Sequence, residues 1–98
     1  MSRVLLDLND SEFQEALFAL EKDELVSVFA TLKKIRQLDW TQLYADRGLR
    51  WEAILSWQGP GGRRVYSFRV TKRARVVAYR EGNGLKLLSI HPDHDSAY

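Results

Sequence analysis

A change of hydrophobic period near residue 50 divides this chain into two kinds of structure. Before it, apolar residues recur every three or four positions, the spacing that places side chains on one face of a helix. Residues 9–21 are expected to form a first helix, with Asn9 and Glu12 in capping-box positions and Phe13, Leu17 and Leu20 sharing a face. A second begins at about Asp23 and carries Leu25, Val28, Phe29, Leu32 and Ile35 at helical spacing. It ends among Lys33, Lys34 and Arg36, where cations suit the helix dipole. The two read as a helical hairpin, with Phe13 and Phe29 assigned to its core. A short third helix is expected from Asp39, capped with Gln42, to Gly48.

After residue 50 the pattern alternates, as it does in a half-buried strand. Residues 50–57 set Trp51, Ala53, Leu55 and Trp57 against Arg50, Glu52, Ile54 and Ser56, which predicts an inward face made of the first set. The glycine-rich stretch 58–62 turns the chain into a second strand over 63–70. A third follows over 74–81, and Gly82-Asn83-Gly84 turns it into a fourth over 85–90. Residues 3–7 are a candidate fifth strand. The fold class expected is therefore α+β, with a helical hairpin packed on an antiparallel sheet of four or five strands. At 98 residues the chain can bury one core, so residues 1–98 read as a single domain.

Charge divides the chain at the same place. Residues 1–49 hold six Lys/Arg against nine Asp/Glu, and residues 50–98 hold nine against four. Between residues 63 and 80 Arg63, Arg64, Arg69, Lys72, Arg73, Arg75 and Arg80 meet no acidic residue in sequence. Most are arginine, whose planar fork matches phosphate. Exposed arginines also keep sheet surfaces soluble, but a stripe of one sign is the usual footprint of a nucleic-acid partner. Whether Arg69 and Arg75 share a face depends on the register of the turn between them, which alternation alone leaves open.

Both histidines lie in the ending His91-Pro92-Asp93-His94-Asp95-Ser96-Ala97-Tyr98. Imidazole titrates near neutrality, so either His91 or His94 could move a proton at cellular pH, with Asp93 or Asp95 orienting it. The plainer reading is a polar tail after the last strand. The spacing matches no recognised zinc pattern, so neither a metal nor a cofactor is expected. Tyr98, beyond the cluster, could stack on a base or donate a proton. Cysteine is absent, the N-terminus has no signal-peptide pattern, and no stretch approaches the roughly 18 apolar residues of a membrane span. A cytoplasmic protein without a membrane partner is the expectation.

The run from Arg69 through Arg75 into Val76-Val77-Ala78-Tyr79-Arg80, then Leu87-Leu88-Ser89-Ile90-His91 and His94-Asp95-Ser96-Ala97-Tyr98, resembles the RelE/ParE-like superfamily of toxin–antitoxin toxins, and in particular its RelE-type ribonuclease branch. The resemblance implies a toxin that inhibits translation by cutting mRNA on the ribosome, held in check by a cognate antitoxin. It implies catalytic roles for Arg69, Arg75 and Tyr98 and for His94 with Asp95 orienting it; the titration argument adds His91 as an alternative acid or base, and the basic stripe places Lys72, Arg73, Arg63, Arg64 and Arg80 on the RNA. The central-strand lysines of some relatives have no counterpart in residues 64–68, which leaves acid/base work to the histidines. Two alternatives stay open: a ParE-like inhibitor of DNA gyrase that cuts no nucleic acid, and a basic RNA-binding relative without activity.

Overall fold

The computed structural model describes residues 2–92, so the expected roles of His94, Asp95 and Tyr98 fall outside the described residues. A short strand β1 (Leu5–Asp7) leads into helices α1 (Ser11–Phe18), α2 (Lys22–Arg36) and α3 (Trp40–Ala45). Four strands follow: β2 (Glu52–Gln58), β3 (Arg64–Arg69), β4 (Arg75–Glu81) and β5 (Gly84–His91), with a turn of 3-10 helix at Pro60–Gly62. Local chemistry sets the helix starts. Asp10, not Asn9, caps α1 by accepting from the Phe13 amide at 2.9 Å. Asp39 and Gln42 form the expected reciprocal box on α3, at 2.8 and 2.9 Å.

The strands lie in the order β1-β5-β4-β3-β2. From β2 to β5 they form the expected antiparallel meander. The expectation of a wholly antiparallel sheet is corrected at β1, which pairs with β5 in parallel, Leu6 opposite Leu85 and Asp7 opposite Lys86. Alternation marks a strand but carries no direction. The helices carry the chain away from β1 before the meander begins, so β1 is free to join the outer edge of β5 in either sense. The pair is fastened by Lys86 Nζ on Asp7 Oδ2 at 2.5 Å. That hydrogen bond holds the Asp7 carboxyl below its usual range and raises the Lys86 ammonium.

The main core lies between helices and sheet, where Phe13, Leu17, Val28, Leu32, Ile35, Trp40 and Leu43 meet Phe68, Val76, Ala78, Leu85, Leu87 and Ile90. Two assignments from periodicity are corrected. Phe29 is 46% exposed, because Val28, Leu32 and Ile35 define the inward stripe of α2 and Phe29 is turned about 100° from Val28. In β2 the buried residue is Ile54, whereas Leu55 is 81% exposed. The register of β2 on β3 shifts between Ala53 and Gln58, so the strand changes faces: Trp51 packs on the main core, while Ile54 and Trp57 join Val65, Val77, Tyr79 and Leu88 on the other side. Phe68 is fully buried at the centre of the main core. Phe68→Ala is expected to lower unfolding free energy by about 3–5 kcal/mol, measured by urea denaturation.

Candidate nucleic-acid interface

The turn register left open by sequence is settled in the sheet: Arg69 stands directly opposite Arg75, and Arg75 directly opposite His91. Residues opposed in a ladder point to the same face, so two guanidinium groups and an imidazole form one row across β3, β4 and β5. Alternation places the row with Val65, Ser67 and Val77, on the face turned away from the helices. Like charges directly opposite one another cost stability, so such a row is not what folding alone would select.

The turn between β3 and β4 shapes one end of the row. Thr71 Oγ1 accepts from the Arg73 and Ala74 amides at 3.2 and 2.9 Å, and Val70 N–H donates to the Ala74 carbonyl at 3.0 Å. Lys72 and Arg73 are thereby exposed at the tip. Arg69 Nε donates to the Thr71 carbonyl at 3.0 Å, which fixes that guanidinium beside the turn. On the far side the Arg69 amide donates to the Leu49 carbonyl at 2.6 Å and brings Arg50 alongside. Arg50 has a left-handed backbone, φ 49°, a conformation costing a non-glycine residue on the order of 1 kcal/mol and often found at functional sites. Arg50, Glu52, Arg69, Lys72 and Arg75 together line a cavity of about 270 Å³.

Arg75 is the floor of that cavity and only 6% exposed. Its Nη2 donates to Glu52 Oε1 at 2.6 Å, while its buried Nε–H has no hydrogen-bond partner among the described residues. A buried donor left open costs about 1–3 kcal/mol, a deficit that an incoming anionic oxygen would relieve. Among the described residues one carboxylate thus faces four cations in the cavity, whose lining carries a net positive charge.

His91 closes the row. Its Nε2 lies 2.9 Å from Ser89 Oγ, and its ring packs on Trp57 with centroids 5.5 Å apart. Burial pushes the imidazole below its ordinary range, so at cellular pH it is neutral and able to accept a proton. The folded protein therefore binds fewer protons than the unfolded chain just below pH 6.5, and the contribution of His91 to stability is lost as pH falls through the folded value. In a His94→Gln variant the remaining histidine signal should titrate below 6.5 by NMR; a midpoint at or above 6.5 would contradict the burial argument.

The remaining predicted arginines do not join the row. Arg63 pairs with Glu81 at 2.8 Å and lies over the Tyr79 ring. Arg80 lies over Trp40 and, with Arg64, lines a groove beside α3. Sequence reasoning missed Arg50, Glu52, Ser89 and Trp57. Among the described residues no group of three or more His, Asp or Glu side chains gathers as metal ligands, and no helix is long and apolar enough to cross a membrane.

No family model matches the chain, and no curated protein matches it in sequence. Among solved structures it is similar to the archaeal RelE–RelB complex from Pyrococcus horikoshii OT3, at 15% identity over 98% of each chain with a TM-score of 0.62. It is also similar to a copper-bound mutant toxin from Helicobacter pylori, at 17% identity over the full length of both chains with a TM-score of 0.51. The chain has a RelE-like fold.

Proposed function

We propose, from that fold and the row of charges upon it, that the chain is the toxin of a type II toxin–antitoxin pair and cuts mRNA on the ribosome. The observation that carries the reading is the register Arg69-Arg75-His91, which sets a neutral imidazole beside two guanidinium groups on one sheet face. Attack by the RNA's own 2′-hydroxyl on the adjacent phosphate needs that combination. With Nε2–H donated to Ser89 Oγ, His91 Nδ1 keeps its lone pair and takes the hydroxyl proton. The bond from O2′ to phosphorus forms, Arg69 and Arg75 stabilise the charge gathering on the phosphoryl oxygens, and the bond to O5′ breaks. The leaving O5′ takes its proton from Tyr98 or His94. The products are a 2′,3′-cyclic phosphate and a free 5′-hydroxyl, and the chemistry itself asks for no metal.

Lys72 and Arg73 at the turn tip supply the long-range attraction to ribosome and mRNA, and a cognate antitoxin would cover the same face. The archaeal structure is a complex of RelE with RelB, which supports a protein partner for this chain. The test is to add the purified protein to a translating extract, follow mRNA integrity and identify the ends. Cleavage with cyclic phosphate termini is expected. A protein that blocks growth and leaves every RNA intact would overturn the nuclease reading in favour of a gyrase-type target.

A further inference from the structure

At the opposite end of β3 from Arg69, and on the helical side of the sheet, lies a second cationic surface of a different make. Trp40, Tyr44, Trp51 and Tyr66 form a continuous run of rings. Centroids are 5.6 Å apart from Trp40 to Tyr44, 5.9 Å from Tyr44 to Trp51, and 4.7 Å from Trp51 to Tyr66, whose planes lie 18° from parallel. Arg80 closes the run: its guanidinium carbon lies 4.3 Å from the Trp40 centroid, Nη1 donates to the Tyr44 hydroxyl at 2.8 Å and Nε to the Gly82 carbonyl at 2.8 Å. The adjoining groove is lined by Tyr44, Arg63, Arg64, Tyr66, Arg80 and Gly82, with no carboxylate among these described residues.

Packing explains part of this cluster, since Trp40 is buried in the main core. It does not explain the rest. Tyr44 is 49% exposed, and of the three arginines only Arg63 has a carboxylate partner among the described residues, Glu81, which is itself exposed. Rings meant only for the core would be covered, and cations meant only for solubility would not be set over rings, as Arg80 is over Trp40 and Arg63 over Tyr79. Exposed aromatic faces set among arginines are instead the means by which proteins hold unpaired nucleotides, because every base has a face to stack and every link has a phosphate.

We infer that this groove is a second nucleotide site: an unpaired base stacks against Tyr44 and Tyr66, and Arg64 and Arg80 hold the neighbouring phosphate. The inference rests on RNA being the polyanion proposed above and adds a second point of grip. The two sites are distinct. Arg64 and Arg69 are separated by about 16 Å along β3, at roughly 3.3 Å per residue, and Tyr66 and Arg69 project from opposite faces of that strand. No one phosphate reaches both.

The test uses a fluorescein-labelled 2′-O-methyl oligoadenylate of about ten nucleotides, which binds but offers no 2′-hydroxyl to react, so binding is read apart from cleavage. Tyr44→Leu should weaken binding about tenfold, the loss expected of one stacked base. Arg64→Gln should reduce the dependence of log affinity on log salt by about 0.7, one phosphate on a single strand. Both positions are solvent-accessible, so the circular dichroism spectrum should match the wild type and confirm the fold, while Tyr44→Leu melts slightly lower for the ring contacts it loses with Trp40 and Trp51. No measurable binding at low salt, or equal affinity in the wild type and the Tyr44→Leu, Arg64→Gln double variant, overturns the site. A protein whose binding falls in the double variant but which cuts no mRNA keeps this site and ends the nuclease reading instead.

Discussion

Replacing His91 with alanine is expected to slow mRNA cleavage by about 10²–10⁴-fold, the usual worth of a positioned general base, while ribosome association changes little. The split follows from where the charge resides. Arg50, Arg69, Lys72 and Arg75 line the cavity, and His91 adds no charge there at neutral pH because burial keeps its imidazole unprotonated. Removing it takes away the proton acceptor and leaves the phosphate contacts in place. The same burial fixes the pH dependence: cleavage should fall on the acid side as His91 takes up a proton, and the fall should lie below pH 6.5. His91→Asn, which nearly fills the space beside Trp57 and Ser89 without acting as a base, should be as slow as alanine. This separates chemistry from packing. Full activity in His91→Ala with His94 intact would move the proton transfer to His94, and full activity without either histidine would end acid/base catalysis by this cluster.

How much of this was legible in the sequence follows from what each pattern encodes. The change of period near residue 50 located helices and meander, because burial on one face imposes 3.6 or 2 on any sequence. Charge marked Arg69 and Arg75, since no local rule needs so many arginines in one run. Register was hidden: whether those arginines converge is decided by the geometry of Thr71 and the amides it holds, and a shift of one residue would have sent them to opposite faces. The bulge in β2 was hidden for the same reason, so Trp57 looked like a face partner of Trp51 and Leu55 like core, while Ile54 looked like surface because the second apolar cluster on the far face was not foreseen. Glu52 had no signal of its own. An acid at the start of a strand is ordinary until Ser67 is seen opposite it and Arg75 within reach. The direction of β1 depended on which edge it met, a property of the assembled sheet rather than of residues 3–7.

Arg75→Ala is expected to reduce cleavage by about 10²–10³-fold, comparable to removing one donor that stabilises developing negative charge. Unlike His91, it should also weaken binding and flatten the salt dependence, because a phosphate contact goes with it. Arg75→Lys should recover little: an ammonium keeps the charge but cannot hold Glu52 with one nitrogen while leaving others directed at the substrate. The competing account is that Arg75 merely pins β2 to β4 through Glu52. The Glu52 side chain is more than half exposed, so solvent screens that pair and its loss alone should cost on the order of 1 kcal/mol or less. Glu52→Gln separates the two accounts. It removes the one carboxylate that faces the cavity cations among the described residues, so affinity for ribosomes at low salt should rise, while the rate should fall as the Arg75 guanidinium loses the partner that positions it. If Arg75 were only a strut, Arg75→Ala and Glu52→Gln would lower the melting temperature alike and leave the rate of the folded protein unchanged. That outcome would remove Arg75 from the chemistry and leave Arg69 and Arg50 to meet the phosphate.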